Sequence, residues 1–446
     1  MTDKPETVRP TAIHDLNALA KAEVDQLLVR TEQDLGPFLE LVEPIIAAVK
    51  TDGDQALVLF ADKFDGAQIG LGEIAVSESE FQEAENSLPV DLIETLHYAA
   101  DNIRRFHEEQ MPGEMWTKEI RPGVLVGERH TPVESAALYS PRGKGSFPSV
   151  TLMTAIPAIV AGVKNPIIVT PTGPDGKVDA GTLVAAKIAG VDQVFKAGGA
   201  VAVAAAAFGT ATVPKCHVIE GPGSPWVVAA KRLLSGTIAS SVRAGPTESM
   251  LFCDETADPY LVALDTLIEA EHGPDSSVFT VVPTPEFAAR VAQEIEHLYQ
   301  HMSIQRAEFA RTVLGGANGG IVIARDLRQG YNFVNAYAPE HLQVMSKHPF
   351  EHLAHITEAS EILLGECAPS SIANYVMGPN AVLPTSGAAK FGSPLGVHAF
   401  LKSASIAHVS QSGFHEMAPH TERFARYEGF DAHANAVSSL RRAGQC

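Results

Sequence analysis

Apolar positions along the chain follow two periods. Between residues 14 and 110, Leu27, Leu28, Leu35, Phe38, Leu39, Leu41 and Val42 recur at helical spacing, and Ile45, Ile46 and Val49 carry the stripe past Pro44. Acidic residues occupy the other faces, and Gly53-Asp54 and Gly66 mark breaks. This stretch predicts an N-terminal helical module without chemical groups of interest. From about residue 123 the texture changes, and Val124–Val126 and Ala136–Tyr139 predict strands. The apolar runs Pro166–Thr170, Val191–Phe195 and His217–Ile219 then alternate with helical patterns over Gly181–Ala189, Gly199–Gly209 and Pro225–Leu234. A second series has strand candidates Met250–Cys253, Val278–Val282, Ile321–Ala324 and Ile362–Leu364, with helices Pro259–Glu271 and Pro285–Met302 between the first three. Short apolar strands alternating with helices imply parallel sheets covered on both faces. Two successive series of similar size hint at an internal duplication, although no clean sequence repeat is visible. The last 61 or so residues read as a polar tail with two helical stretches that packs on something rather than forming a core alone. The expected segments are 1–122, 123–248, 249–385 and 386–446.

Composition narrows the class. The 446 residues are 45% hydrophobic and 19% charged, which excludes a largely disordered chain. Thirty-three Lys and Arg against fifty-three Asp and Glu leave a net charge of −20, and such a surface argues against nucleic acid as a partner. Cys216, Cys253, Cys367 and Cys446 stand far apart, as isolated thiols of a reducing cytosol do. The first ten residues show no apolar core or cleavage signal, and the apolar run Leu152–Val163 is too short for a bilayer. A cytoplasmic protein without membrane partners is expected.

Four places can carry chemistry. Glu269 and His272 stand one turn apart near the end of a helix that Gly273-Pro274 terminates, where they can hold one edge of a divalent cation or simply form a solvated helix end. Glu340-His341, after Pro339 and entering a strand, can supply an acid and a base. Neighbours on a strand point to opposite faces, so both reach one site only if the backbone there is irregular. Glu428-Gly-Phe-Asp431-Ala-His433 in the tail reads as a capping cluster or as part of a site. The loop Tyr139-Ser-Pro-Arg142-Gly-Lys144-Gly-Ser146 fails the Walker pattern but can cradle an anion, and the turns at Gly198-Gly199 and Gly221-Pro222-Gly223 can offer amides to a pyrophosphate. None is a complete dinucleotide fingerprint.

Taken in order, these segments resemble the histidinol dehydrogenase family. The matching pieces are Tyr139 with its Pro-Gly loop, Ala197-Gly-Gly-Ala200, Gly221-Pro-Gly223, Ala244-Gly-Pro-Thr-Glu248, Ala270-Glu-His-Gly-Pro-Asp-Ser276, Pro339-Glu-His-Leu342, Asn380 to Thr385, and Glu428 to Val437. The resemblance implies an α/β fold of two incomplete Rossmann-like parallel-sheet domains, with an N-terminal helical module and a C-terminal helical tail. It implies one Zn2+ per subunit, NAD as hydride acceptor, and oxidation of a primary alcohol through an enzyme-held aldehyde to a carboxylate. It also implies a homodimer in which the tail of one copy completes the other's site.

By position, Glu340 corresponds to the group that activates water, His341 to the base that takes the alcohol proton, and His272 and His433 to two metal ligands. The other two ligands are changed: Glu269 stands where the family has Gln, and Asn374 where it has Asp. The negative charge has moved from one ligand to the other, which reads as a rearranged metal site. Around the substrate, Thr247 replaces Ser, Ala381 replaces a His, Arg243 stands where Pro is usual, and Glu428 arrives with the tail. Of the cofactor contacts Tyr139 is kept, while Val201 replaces Gln and Ser224 replaces Asn. Losing the imidazole at Ala381 removes a hydrogen-bond partner for a substrate shaped like histidinol. Arg243, Arg142 and Lys144 add cations for an acidic substrate group or the cofactor phosphates. The expected function is therefore oxidation of a small polar primary alcohol that need not be histidinol. Oxidation of L-histidinol in histidine biosynthesis and a catalytically silent binding protein are the alternatives.

Overall fold

A computed structural model of the chain describes residues 10–30, 35–142, 145–242 and 245–441. The chain divides into two compact units, one from segments 1–110 and 134–400, the other from 111–133 and 401–446.

The first unit holds two parallel sheets. The smaller has four strands in the order Val194–Lys196, Asn165–Thr170, Ser135–Tyr139, Val218–Glu220. Numbered along the chain, its strands run 3-2-1-4 across the sheet. Helix Gly199–Phe208, built almost wholly of Ala and Val, is buried along nearly all its length. Its small side chains let it lie close between this sheet and helix Gly36–Asp52 of the N-terminal module.

The larger sheet has six strands, all parallel, in the order Ile13–Asp15, Gly319–Ile323, Ser277–Val282, Glu248–Cys253, His341–Met345, Glu361–Leu364. Counted from Glu248–Cys253, the order is again 3-2-1-4, with a fifth strand beyond. The duplication hinted at by the sequence is thus present as repeated topology. The outermost strand adds to the mainly helical reading of the N-terminal stretch an element that it did not contain. Ile13–Asp15 pairs with Gly319–Ile323, and three residues are too few to display a strand's alternation.

The second unit is an antiparallel sheet with Val124–Pro132 between Met115–Arg121 and Leu401–Val409, followed by helices Gln411–Tyr427 and Asp431–Val437. Residues 111–133 therefore fold with the tail, and not with the segments on either side of residue 122. Only the distant pairing with Leu401–Val409 gathers them. Among the described residues, no helix is long and apolar enough to cross a membrane.

Candidate active site

The amino ends of three adjacent strands of the larger sheet carry Glu248, His341 and Glu361. Parallel register sets His341 opposite Glu361, and Glu361 Oε2 takes His341 Nδ1 at 2.7 Å. The other ring nitrogen, Nε2, lies 3.9 Å from Glu340 Oε1. The irregular backbone that this pairing requires is present. Ala338 adopts φ 54°, in the left-handed region, and Glu340 stands just before the strand begins. Glu340 Oε2 accepts the Glu248 amide at 2.9 Å. Both Glu340 and His341 are buried, as is Glu361, whose Oε1 has no hydrogen-bond partner among the described residues.

Glu269 is 1% exposed near the end of helix Pro259–Ala270. Asn374 Nδ2 donates to its Oε1 at 2.8 Å. His272 Nδ1 lies 3.1 Å from Oε2 and 3.2 Å from Thr247 Oγ1. The approach to Oε2 lacks hydrogen-bond alignment, so that oxygen is buried and unbonded among the described residues. A carboxylate with an unmet oxygen, an imidazole and a carboxamide side chain thus come together, residue types that fit a divalent cation such as zinc. Among the described residues no three His, Cys, Asp or Glu side chains are assembled for a metal. Here one donor is an Asn, and the further predicted ligand, His433, belongs to the second unit.

Charge ties these groups together. Burial alone would raise Glu269, but the charges of His341 and His272, with hydrogen bonds from Asn374 and Ser370, outweigh it and the carboxyl titrates below its ordinary value. Burial pushes Glu340 up to about 8, against the pull of His341. Burial also opposes charging His341, yet Glu269, Glu340 and Glu361 together hold its pKa well above the usual histidine range. The imidazole sits in a carboxylate field.

Sequence reasoning missed three parts of this arrangement. Glu361 and Glu248 are ordinary strand-opening acids until sheet register brings them to His341 and Glu340. Arg30 comes from the N-terminal segment. Its guanidinium stacks 3.3 Å over the Tyr337 ring, donates to Ala338 O at 3.4 Å and stands 3.7 Å from Glu248. No local motif announces it.

The predicted cofactor residues gather at the smaller sheet. Strand order reverses between Ser135–Tyr139 and Val218–Glu220, the point at which open parallel sheets bind ligands beyond the carboxyl ends of their strands. The Tyr139 hydroxyl accepts the Gly199 amide at 3.2 Å, and burial raises its pKa to about 12, so it stays protonated. Gly221 has φ 124°, and a Cβ there would lie 2.2 Å from Tyr139 O, so only glycine lets the two strand ends close up. Ser224 is exposed at the start of helix Pro225–Leu233, whereas Val201 is packed within the core.

Ala381 is half-buried beside Asn380, which anchors its segment by donating to Met153 O at 2.6 Å. Arg142 is exposed and donates to Lys177 O at 2.9 Å. Arg243 and Lys144 lie outside the described residues. In the second unit Glu428 and His433 line one open cleft with His420, Phe424 and Phe430. Nearby Tyr427 is 92% exposed, an unusual state for an aromatic ring.

The family model described as Histidinol dehydrogenase matches residues 28–441. A "Histidinol dehydrogenase homolog" of Colwellia psychrerythraea is 56% identical over 96% of this chain and 96% of its own. A "Histidinol dehydrogenase" of Synechocystis sp. is 42% identical over 96% of this chain and 98% of its own. The crystal structure of histidinol dehydrogenase from Elizabethkingia anophelis is similar with a TM-score of 0.91 at 30% identity, covering 97% of this chain and 98% of that one.

Proposed function

Since the chain belongs to the histidinol dehydrogenase family, we propose that it is a zinc-dependent, NAD-linked dehydrogenase that oxidises a small polar primary alcohol other than L-histidinol, through an aldehyde, to a carboxylate. One observation carries this reading: a buried Glu340–His341–Glu361 group stands at the strand starts, and His341 is within the field of a Glu269 whose Oε2 lacks a hydrogen-bond partner among the described residues. A cation held by Glu269, His272, Asn374 and, from a second copy of the chain, His433 would polarise the substrate oxygen and offset the carboxylate field on His341, while NAD at the Tyr139 edge would accept hydride.

The chain's own residues do the rest. Glu361 accepts the Nδ1 proton of His341 and so leaves Nε2 to take the alcohol proton. Glu340, in its ionised form, takes a proton from the water that adds to the aldehyde. Thr247 beside His272 contacts the substrate, and Glu428 joins it from the exchanged tail. The exposed aromatic rings around that cleft supply the apolar surface that a dimer covers. Ala381 withdraws the imidazole that would meet a histidinol-like substrate, and Arg243 adds a cation for a substrate with an acidic group. The relatives at 51–56% identity bear the word "homolog" and those at 38–42% do not, which favours a changed substrate.

Two measurements test the reading together: metal content after purification without chelator, and NADH formation across a panel of small polar primary alcohols that includes L-histidinol. Stoichiometric zinc and turnover of a panel member, with poor turnover of L-histidinol, are expected. Ordinary turnover of L-histidinol at micromolar KM would instead make the chain a histidinol-oxidising enzyme. Silence across the panel with metal still bound would leave a binding protein on the same scaffold.

A further inference from the structure

Among the described residues, two that are not glycine take positive φ, Ala338 at 54° and Ser386 at 57°. A side chain makes that conformation costly, and such a corner persists only where its surroundings over-determine it. One ion pair touches both corners. Arg30 Nη2 donates to Ala338 O at 3.4 Å, and Glu248 Oε1 accepts the Ser386 amide at 3.0 Å. Arg30 Nε stands 3.7 Å from that same Glu248 oxygen, and neither side chain is more than 10% exposed. The corners belong to different segments. Ala338 ends helix Leu327–Tyr337 and leads through Pro339 to Glu340. Ser386 follows the segment Asn380–Thr385, whose Thr385 Oγ1 accepts the Gly245 amide at 2.7 Å. Glu248 also reaches Glu340 directly, through the backbone amide that Glu340 Oε2 accepts at 2.9 Å. The Arg30 guanidinium lies 3.3 Å over the ring of Tyr337, which is fully buried and joined through its hydroxyl to Ser277 Oγ. Tyr337 immediately precedes Ala338, so the ring that carries the guanidinium and the carbonyl that receives it share one piece of backbone. A planar cation stacks with its face while it donates from its edge, which an ammonium does not do.

We propose that Arg30 is a positioning residue for the second half of the reaction: with Glu248 it clamps the Ala338 corner, and so holds the Glu340 carboxylate where water must meet the aldehyde. This role rests on the reading of Glu340 as the group that takes a proton from that water. Buried ion pairs seldom add net stability over apolar replacements, and their best use is to fix one conformation. A reacting group displaced by about 1 Å loses on the order of 10²-fold in rate. His341 does not depend on the clamp in the same way, since it lies in a strand paired on both sides and its ring is oriented by Glu361. Loss of Arg30 therefore slows oxidation of the aldehyde more than oxidation of the alcohol.

The test compares the full-length, metal-replete wild type with Arg30→Lys and Arg30→Ala, using each alcohol of the panel that gives NADH, L-histidinol included. NADH formed per alcohol consumed is measured, and released aldehyde is trapped as its hydrazone. The wild type is expected to deliver both hydrides and release no aldehyde. Both variants are expected to release aldehyde, with the NADH-to-alcohol ratio falling toward half, kcat lowered about 10- to 100-fold and KM nearly unchanged. Millimolar guanidinium chloride should restore the ratio in Arg30→Ala, and matched sodium chloride should not. A purely structural role would lower the active fraction but keep the wild-type ratio, so an unchanged ratio without response to guanidinium overturns the proposal. Arg30→Lys keeps the charge and decides should Arg30→Ala not fold. Crystal structures of the variants judge the clamp without turnover: Ala338 should leave the left-handed region, or Glu340 Oε2 should leave the Glu248 amide, and an unmoved corner and carboxylate overturn the proposal. If the wild type gives no NADH with any panel alcohol, or itself releases the aldehyde, the reading of Glu340 falls and the crystal structures alone decide on Arg30.

Discussion

The two parallel sheets of the first unit have the same strand order, and their switch points meet different fates. In the smaller sheet the carboxyl ends of Ser135–Tyr139 and Val218–Glu220 close up on backbone alone at Gly221, beside the Gly199 amide that the Tyr139 hydroxyl accepts. In the larger sheet the equivalent position, between Glu248–Cys253 and His341–Met345, is filled from within. Asp254 accepts Ser346 Oγ at 2.6 Å and both the amide and the hydroxyl of Thr256, while His352 Nε2 stands 3.4 Å away. His352 in turn meets the Tyr331 hydroxyl at 2.7 Å. Asp254, Thr256, Ser346 and His352 are thus already engaged with partners in the chain. The larger sheet instead gathers buried titratable residues at the amino end, Glu248, Glu340, His341 and Glu361. Strand order offers a crevice, and the side chains around it decide whether the crevice serves as a site.

Breaking the amino end has the largest expected effect. Glu340→Gln and His341→Ala should each lower kcat by about 10²- to 10⁴-fold in steady-state NADH formation, with circular dichroism unchanged. Wild-type rates in both would move the chemistry elsewhere and dissolve the contrast between the sheets. Since burial places Glu340 at about 8 and the base must be ionised, the rate should fall as pH drops below that value. Glu340→Gln should lack that limb.

A smaller effect tests register. Glu361→Gln removes the carboxylate that orients His341 and should cost about 10- to 100-fold in kcat with little change in KM. The smallest effect on activity belongs to the filled end. Asp254→Ala should leave kcat within experimental error and lower stability by about 1–3 kcal/mol in urea denaturation, since the donors of Ser346 and Thr256 lose their acceptor. Burial tends to raise Asp254, but those donors and His352 outweigh it, so its folded pKa lies below the unfolded one. Its stabilisation is present above the unfolded value and is lost as pH falls through the lower folded one. A collapse of activity in Asp254→Ala would show that the carboxyl end of the larger sheet serves the reaction after all.

Much of this was legible along the chain because it is local. Alternating strand and helix patterns located both sheets, and the three-residue spacing of Glu269 and His272 made them neighbours, which stand 3.1 Å apart. The Glu340–His341 pair was visible, and the condition for its sharing a site was met by Ala338. What stayed hidden depends on contacts between distant segments. Glu361 reaches His341 only through register, Arg30 reaches Tyr337 from far upstream, and Met115–Arg121 joins the tail through Val124–Pro132. Hydrophobic period reports which face of an element is covered, not which neighbour covers it.

The strand Ile13–Asp15 has a consequence for how the molecule is made. It emerges from the ribosome early, yet its partner follows some 305 residues later, the separation between His14 and the Gly319 carbonyl it meets. Until then the start of the chain waits unpaired, and the rim of the larger sheet stays open to any passing strand. Its docking waits on that late partner, so a nascent chain stalled before residue 319 carries only one half of the seam.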